Sequence, residues 1–231
     1  MWELCTRIRE CVSPTHVDPI TAIRRKDIEQ LKLAHPYEIR DYEHSYGRGS
    51  LCEEAASRGS LECLKHLREV RRCAWGSATC TAAAEKGHLA CLKYAHENGC
   101  PWDERTTHVA AYNRVNCFLY AYDNGCPVHK ECMDEAACSG GLEIMQRLHK
   151  DGFPWTDKTT WWAARYGGAE CLRYALTNGC PWSSRRAEGF WDFFRDDSVA
   201  VLRELGYHVP PRRPNPEGRL LAAMFAHTNA R

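Results

Sequence analysis

The sequence has no excess of charge of either sign. Its 231 residues include 31 Lys and Arg against 30 Asp and Glu, which gives a formal net charge of +1. Nucleic acids and anionic membranes are usually bound through a basic excess, so this balance argues against both as the main partner. We therefore expect neither a nucleic-acid partner nor a membrane partner.

Long apolar runs are also missing. No stretch of the sequence approaches the roughly 18 apolar residues of a membrane-spanning helix. The N-terminal segment MWELCTRIRECV is interrupted by Glu3, Arg7, Arg9 and Glu10, so it lacks the apolar region of a signal peptide. We expect a cytoplasmic protein, and a nuclear location stays open.

The sequence lacks the common motifs of enzymes and metal sites. It contains no Gly-x-Gly-x-x-Gly, no phosphate-binding loop, no paired-carboxylate constellation of a catalytic site and no Cys-x-x-Cys. Cys5, Cys11 and His16 have irregular spacing, and we interpret them as side chains of a terminal helix rather than metal ligands. A Cys91–His88 dyad is disfavoured because other repeats of the chain have no histidine at the position of His88. We expect no enzyme activity, no cofactor and no metal.

Cysteine, by contrast, is abundant, with 14 residues. In a secreted chain they would indicate disulfides, and in a cytosolic chain thiols or metal ligands. Eight of them form two regular series, namely Cys63, Cys91, Cys117 and Cys171, and Cys73, Cys100, Cys126 and Cys180. Equivalent positions of stacked helices lie about 8–10 Å apart, beyond the roughly 7 Å between Cα atoms that a disulfide spans. Ile144 and Phe153 fill the missing positions of these series, so we predict reduced cysteines with a packing role.

The regular cysteines belong to an internal repeat. The segment AAEKGHLACLKYAHENGCPW (83–102) returns as AARYGGAECLRYALTNGCPW (163–182), and weaker copies begin at residues 55, 110 and 136. Degenerate copies lie at 22–35 and 198–210, which makes five clear and two degenerate repeats. A unit of about 27 residues cannot bury its own apolar face, so the repeats must stack. We predict an N-terminal capping segment (1–17), a repeat array (18–210), and a Pro-rich turn with a C-terminal capping helix (211–231).

Each repeat is predicted to form two short helices. The first helix contains an Ala-Ala pair and ends at a glycine such as Gly87 or Gly167. The second ends at an Asn-Gly or Asp-Gly pair that provides a left-handed C-cap, and a proline follows two residues later. A tryptophan after this turn recurs in four repeats, and we predict that these residues form a buried ladder: Trp75, Trp102, Trp155 and Trp182.

The run GHLACLKYAHENGCPW (87–102) resembles the second half of an ankyrin repeat. Ankyrin repeats have 33 residues and the motif Thr-Pro-Leu-His-x-Ala, whereas these units have 26–28 residues and lack that motif. The missing residues fall where ankyrin repeats carry a β-hairpin finger. The resemblance implies an all-α solenoid of stacked helix-turn-helix ankyrin-like repeats without fingers. The repeats resemble the short Cys-Pro-Trp type of ankyrin-like repeat, which is common in giant DNA viruses such as pandoraviruses, and in oomycetes and algae.

The resemblance also implies a function. We expect a monomeric, non-catalytic protein–protein interaction scaffold, whose partner is a host protein in the host cytoplasm if the chain is viral. In ankyrin-like stacks the first helix lines the concave face, so the variable residues beside the Ala-Ala pair are candidates for partner binding. Aromatic and Arg side chains dominate interface hot spots. The candidates are Tyr112, Asn113, Trp161, Trp162, Arg165 and Tyr166. A solvated helix face without a binding role is the open alternative.

A second function stays open at this stage. Related viral proteins often carry an F-box before the repeats, which would make the array a substrate-recognition adaptor for a ubiquitin ligase. Only about 17 residues precede the first degenerate repeat here, fewer than an F-box needs. Such an adaptor would therefore have to recruit the ligase without an F-box.

Overall fold

The computed structural model describes residues 17–47, 49–156, 158–187 and 190–211, without the side chains of residues 185 and 186. Within these ranges the chain consists of helices and connecting loops, and no β-strand occurs. The predicted capping segments 1–17 and 211–231 lie outside the described residues apart from Val17 and Pro211. The chain divides into two compact units, of which the first ends at Cys132 and the second begins at Met133.

The first unit contains the first degenerate repeat and three clear repeats. Between them lies α3, which has no counterpart in the repeat pattern. The helices are α1 (Pro19–Arg25), α2 (Ile28–Leu33), α3 (Pro36–Tyr46), α4 (Ser50–Arg58), α5 (Leu61–Lys65, continued by a π turn over His66–Val70), α6 (Ser77–Lys86), α7 (Leu89–Glu97), α8 (Glu104–Ala111) and α9 (Val115–Asp123). The pairs α4 and α5, α6 and α7, and α8 and α9 correspond to three repeats of the sequence.

The second unit contains two clear repeats and the last degenerate one. Its helices are α10 (Cys132–Ser139), α11 (Leu142–Lys150), α12 (Thr159–Trp162, continued by a π turn over Ala163–Gly167), α13 (Ala169–Thr177), α14 (Ser184–Ala187) and α15 (Asp196–Glu204). A single 3-10 turn (Trp191–Phe193) lies between α14 and α15. The predicted copy at 198–210 is thus represented by α15 and the turn that follows it.

The ends of the second helices confirm the predicted C-caps. The glycines at these ends have φ angles between +78° and +84°: Gly99, Gly125, Gly152 and Gly179. The amide that follows each glycine donates back to the helix, as Cys100 N does to Ala95 O at 2.9 Å. The Asn98 side chain satisfies a further carbonyl, that of Tyr94, at 2.8 Å. Asn-Gly therefore stops the helix by local hydrogen bonds that repeat along the chain.

The ends of the first helices differ from the prediction in one repeat. Gly59, Gly87 and Gly140 take positive φ angles there, and Asn113 fills the same place with φ +65°. Gly167 does not, because the π turn adds a residue to the helix and moves the positive φ angle to Gly168 (+90°). The prediction that the chain breaks at Gly167 was therefore wrong by one residue.

Small side chains let first helices of neighbouring repeats approach closely. The alanines of the Ala-Ala pairs are fully buried in every clear repeat: Ala55, Ala56, Ala83, Ala84, Ala110, Ala111, Ala136, Ala137, Ala163 and Ala164. At Gly167 the approach is closer still, since a Cβ atom added to this residue would collide with the carbonyl oxygen of Ala137. Packing of backbone against backbone thus explains the small residues of the pattern.

Hydrogen bonds to loop carbonyls connect successive repeats. In the first unit the Cys100 thiol donates to Gly76 O and the Cys126 thiol to Asp103 O, both at 3.2 Å. The Thr107 hydroxyl donates to Pro127 O at 2.6 Å, and the Thr160 hydroxyl of the second unit donates to Pro181 O at 2.9 Å. These cysteines are buried, as predicted, but they also bind a neighbouring loop, which the pattern of apolar substitutions did not indicate.

The recurring tryptophans are half-buried rather than fully buried, so the predicted ladder was wrong in this respect. The Trp102 ring stacks on His96 with centroids 3.7 Å apart, and His96 Nδ1 lies 3.1 Å from the Tyr120 hydroxyl. The second unit has a counterpart, formed by His149, Trp155 and Tyr174. We call these groups the His–Trp–Tyr clusters. Their polar atoms require partial access to water or carbonyl groups, which explains the incomplete burial.

Candidate functional site

The residues predicted to bind a partner fall into both units. Tyr112 and Asn113 belong to the first unit, where they follow α8 and are exposed. Asn113 holds the left-handed position that glycine holds in other repeats, so its backbone has a turn-forming role. The other four predicted residues belong to the second unit.

In the second unit, α12 and its π turn bring the four predicted residues together. The Trp161 and Trp162 rings meet edge to face with centroids 4.7 Å apart, and the Trp162 ring stacks on Tyr166 at 5.7 Å. The Arg165 guanidinium carbon lies 5.2 Å from the Trp161 ring centroid and 5.0 Å from that of Tyr166. The sequence prediction that these side chains are neighbours is therefore matched by their geometry within this unit.

Two further aromatic residues complete this group. The ring centroids of Phe190 and Phe193 lie 6.0 and 5.2 Å from the Arg165 guanidinium carbon. The Phe190 ring also packs edge to face against the Trp161 ring. Sequence reasoning missed both, although the run FWDFF (190–194) is a visible concentration of aromatic residues. We call Trp161, Trp162, Arg165, Tyr166, Phe190 and Phe193 the Arg165 cluster.

The Arg165 cluster presents apolar surface around a permanent positive charge. Tyr166 is 47%, Phe190 42% and Phe193 59% exposed, although each is a large hydrophobic side chain. Cation–π contacts with several rings hold the guanidinium in place at little cost in conformational entropy. Such a surface suits a protein ligand that offers apolar groups together with hydrogen-bond acceptors.

Four of the other variable positions of the first helices carry charged and solvated side chains. Glu53, Arg58, Glu85 and Lys86 are exposed. Asp134 is an exception, because its buried carboxylate accepts hydrogen bonds from two threonine hydroxyls of the second unit, at 2.6 and 2.7 Å. Variation between repeats therefore marks both exposed positions and a buried polar contact.

Most of the regular cysteines are chemically quiet; Cys100 is the exception, because a hydrogen bond with Cys80 lowers the pKa of its thiol. Those within the described residues are free thiols. Burial raises the pKa of Cys91, Cys117 and Cys171 to about 11, and that of Cys126 and Cys180 to about 12. A nucleophilic cysteine needs a lowered pKa, so Cys91 lacks the property that a dyad with His88 would require.

One group within the described residues has the composition and spacing of a metal site. His108, His129 and Glu131 each offer a donor atom, and these atoms lie within 4.8 Å of one another. Sequence reasoning missed this group because no short motif links residues so far apart. The Cys5, Cys11 and His16 set lies outside the described residues.

The overall fold can be compared with that of known proteins. No protein-family model matches the sequence, and no curated protein matches it. Among solved structures, the chain is similar to the crystal structure of the human ASB11 ankyrin repeat domain, with a TM-score of 0.61 and 18% sequence identity. The match covers 87% of this chain and 100% of that domain.

The chain therefore has the all-α fold of an ankyrin repeat solenoid, and its repeats carry no β-hairpin finger within the residues that the structure describes. Within the part of the chain that the structure describes, no helix has the length and apolar character needed to span a bilayer.

Proposed function

We propose that this protein is a non-catalytic scaffold that binds a partner protein through its first-helix face. The Arg165 cluster of the second unit is the main binding surface in this proposal, and Tyr112 and Asn113 of the first unit are a separate candidate surface. The observation that carries the proposal is the exposure of Tyr166, Phe190 and Phe193 around one arginine. If the chain is viral, as the Cys-Pro-Trp type of repeat suggests, the partner is a host protein.

The energetics favour this surface over the rest of the first-helix face. Interface hot spots are rich in Trp, Tyr and Arg, and the most important of them contribute about 2 kcal/mol or more. The Arg165 cluster contains all three residue types, whereas exposed positions such as Glu85 and Lys86 are solvated charges worth little in binding.

The test compares three versions of the chain in quantitative affinity capture followed by mass spectrometry. The face variant combines Arg165→Ala, Tyr166→Ala and Phe193→Ala, and the control is Tyr46→Ala, which removes an exposed aromatic ring from α3. We expect a set of proteins that the native chain and the control retain and that the face variant loses by more than about tenfold. Equal capture by all three would refute the proposal.

Circular dichroism makes the result interpretable. The face variant should keep the helical signal, because the three truncated side chains are at least partly exposed. Loss of that signal would show that these residues are required for folding, and the binding surface would have to be abandoned. Cullin-complex subunits in the captured set would favour the alternative function, an adaptor for a ubiquitin ligase, over a scaffold alone.

A further inference from the structure

We propose that His108, His129 and Glu131 bind one Zn²⁺ ion. His108 lies in the last turn of α8, and the other two residues lie in the loop that leads from α9 to α10. All three belong to the first unit. The site would therefore join the first helix of one repeat to the loop that follows the same repeat.

The framework of the site is fixed by hydrogen bonds next to the ligands. Thr107, beside His108 in α8, donates its hydroxyl to the Pro127 carbonyl at 2.6 Å, which anchors the loop two residues before His129. At the other end of the loop, Cys132 N donates to His129 O at 3.0 Å. The two imidazoles are thus held together by the backbone, with ring centroids 4.5 Å apart.

The donor atoms are close to the separations that zinc requires. Glu131 Oε2 lies 3.9 Å from His108 Nε2 and 3.9 Å from His129 Nδ1. In a tetrahedral site, Zn–N and Zn–O bonds of about 2.0–2.2 Å place pairs of ligand atoms about 3.4 Å apart. The two 3.9 Å separations exceed this by about 0.5 Å, and the 4.8 Å bound for the whole group exceeds it by about 1.4 Å. Because the side chains are between 22% and 47% exposed, they have room to rotate, and metal binding requires such rotations.

Binding has an identifiable cost. His129 Nδ1 accepts a hydrogen bond from the Glu131 amide at 3.2 Å, and coordination through Nδ1 would replace that bond. The metal supplies a stronger interaction with the same lone pair. It also neutralises the carboxylate between the two rings, so the exchange favours the bound state.

The donor set selects the kind of metal. Two imidazoles and one carboxylate are the ligands of open, three-residue zinc sites, in which water or an external group takes the fourth position. Imidazole also suits copper and nickel, whereas calcium and magnesium prefer oxygen ligands alone. The buried Cys117 and Cys126 thiols compete poorly, because metals bind the thiolate and burial raises the pKa of Cys117 to about 11 and that of Cys126 to about 12.

The test is calorimetric titration of the full chain with zinc chloride at neutral pH. The chain carries no histidine tag, is treated with a chelator and then dialysed, and is kept reduced with a phosphine. We expect binding of one zinc ion per chain and a higher melting temperature in its presence. His108→Asn and Glu131→Gln should each weaken this binding by more than about tenfold.

Two controls separate the site from other donors. His208→Asn, which removes an exposed imidazole elsewhere, should bind zinc as the native chain does. The joint change of Cys5 and Cys11 to serine should also leave binding unchanged. Cobalt(II) should give weak visible bands without the intense near-ultraviolet band of thiolate coordination.

Each contrary outcome would overturn the proposal. One is the absence of one-to-one binding by the native chain. Another is equal binding by the native chain and Glu131→Gln, which keeps the backbone and the two rings and so is expected to fold. A thiolate band with cobalt would assign the metal to cysteines instead. In each case the three side chains would be a polar cluster without a metal.

Discussion

At the scale of single residues, Gly167 shows how tightly two repeats of the second unit pack. A Cβ atom added to Gly167 would collide with the Ala137 carbonyl oxygen. The backbone angle is ordinary, so the requirement for glycine is one of space and not of conformation. Backbone atoms cannot move aside as a flexible side chain can, and the collision must shift whole segments.

We predict that Gly167→Ala lowers the free energy of unfolding by about 1–3 kcal/mol, as overpacking of a close contact does. Chemical denaturation followed by circular dichroism measures this change. Gly76→Ala is the matched control, because a Cβ atom there meets nothing within 4 Å and its φ is not positive. The control should be neutral or slightly stabilising. Equal stability of the two variants would contradict the packing argument.

At the scale of elements, a threonine hydroxyl ties a first helix to a loop in two of the repeats. Thr107 and Thr160 are buried and donate to proline carbonyls 20 and 21 residues later in the sequence. Proline stops the preceding helix, and its carbonyl then needs a donor because the loop covers it from water. The same contact therefore positions the start of the next repeat.

Thr160→Val tests this contact, since it keeps the branched shape and removes only the donor. We expect a loss of about 1–2 kcal/mol, because the Pro181 carbonyl loses its hydrogen bond. The midpoint of urea denaturation measures the effect. Thr177→Val is the control, because that hydroxyl donates only to carbonyls of its own helix and accepts only from the neighbouring Asn178 side chain. A midpoint for Thr160→Val no lower than that of the control would count against the role of the hydroxyl.

The sequence predicts those helices and turns whose sequence motifs span a few residues and recur from repeat to repeat. The Asn-Gly caps and the paired helices are of this kind, because each depends on residues a few positions apart. The helix α3 occurs once, so no repeat could reveal it. The shift from Gly167 to Gly168 follows from the π turn over Ala163–Gly167, which no local sequence signal indicates.

The candidate sites show the same division. Trp161, Trp162, Arg165 and Tyr166 share one short segment, and their grouping was predictable from helical spacing. Phe190 joins them only because the chain returns to the same place after α13. The approach of His108 and His129 likewise depends on a tertiary contact between a helix and a loop. Contacts between residues far apart in the chain cannot be predicted from the spacing of residues in a single sequence.

At the scale of the whole molecule, the buried thiols make stability depend on alkaline pH. The pKa of an unfolded cysteine is about 8.5, whereas burial raises the pKa of Cys91, Cys117 and Cys171 to about 11. The folded pKa is the higher one, so each thiol contributes stability below about pH 8.5 that is lost as the pH rises towards 11. Both units contain such a thiol, because Cys91 and Cys117 lie in the first unit and Cys171 lies in the second.

We predict that the free energy of unfolding falls as the pH is raised from about 8.5 to 11, with a slope of at most about 1.4 kcal/mol per pH unit for each thiol. Urea denaturation at several pH values, under reducing conditions, measures the slope. The combined change of Cys91, Cys117 and Cys171 to alanine should make the decline shallower. An unchanged slope in this variant would assign the pH dependence to other groups.

The His–Trp–Tyr clusters have a consequence for recombination of the array. Their members recur after 53 or 54 residues, which is two repeats. A displacement of one repeat would put Tyr122 in the place of His96 and Arg147 in the place of Tyr120. Chimeric arrays should therefore be joined in two-repeat modules, so that each imidazole keeps its own indole and phenol. The natural unit of exchange is then twice the length of the visible repeat.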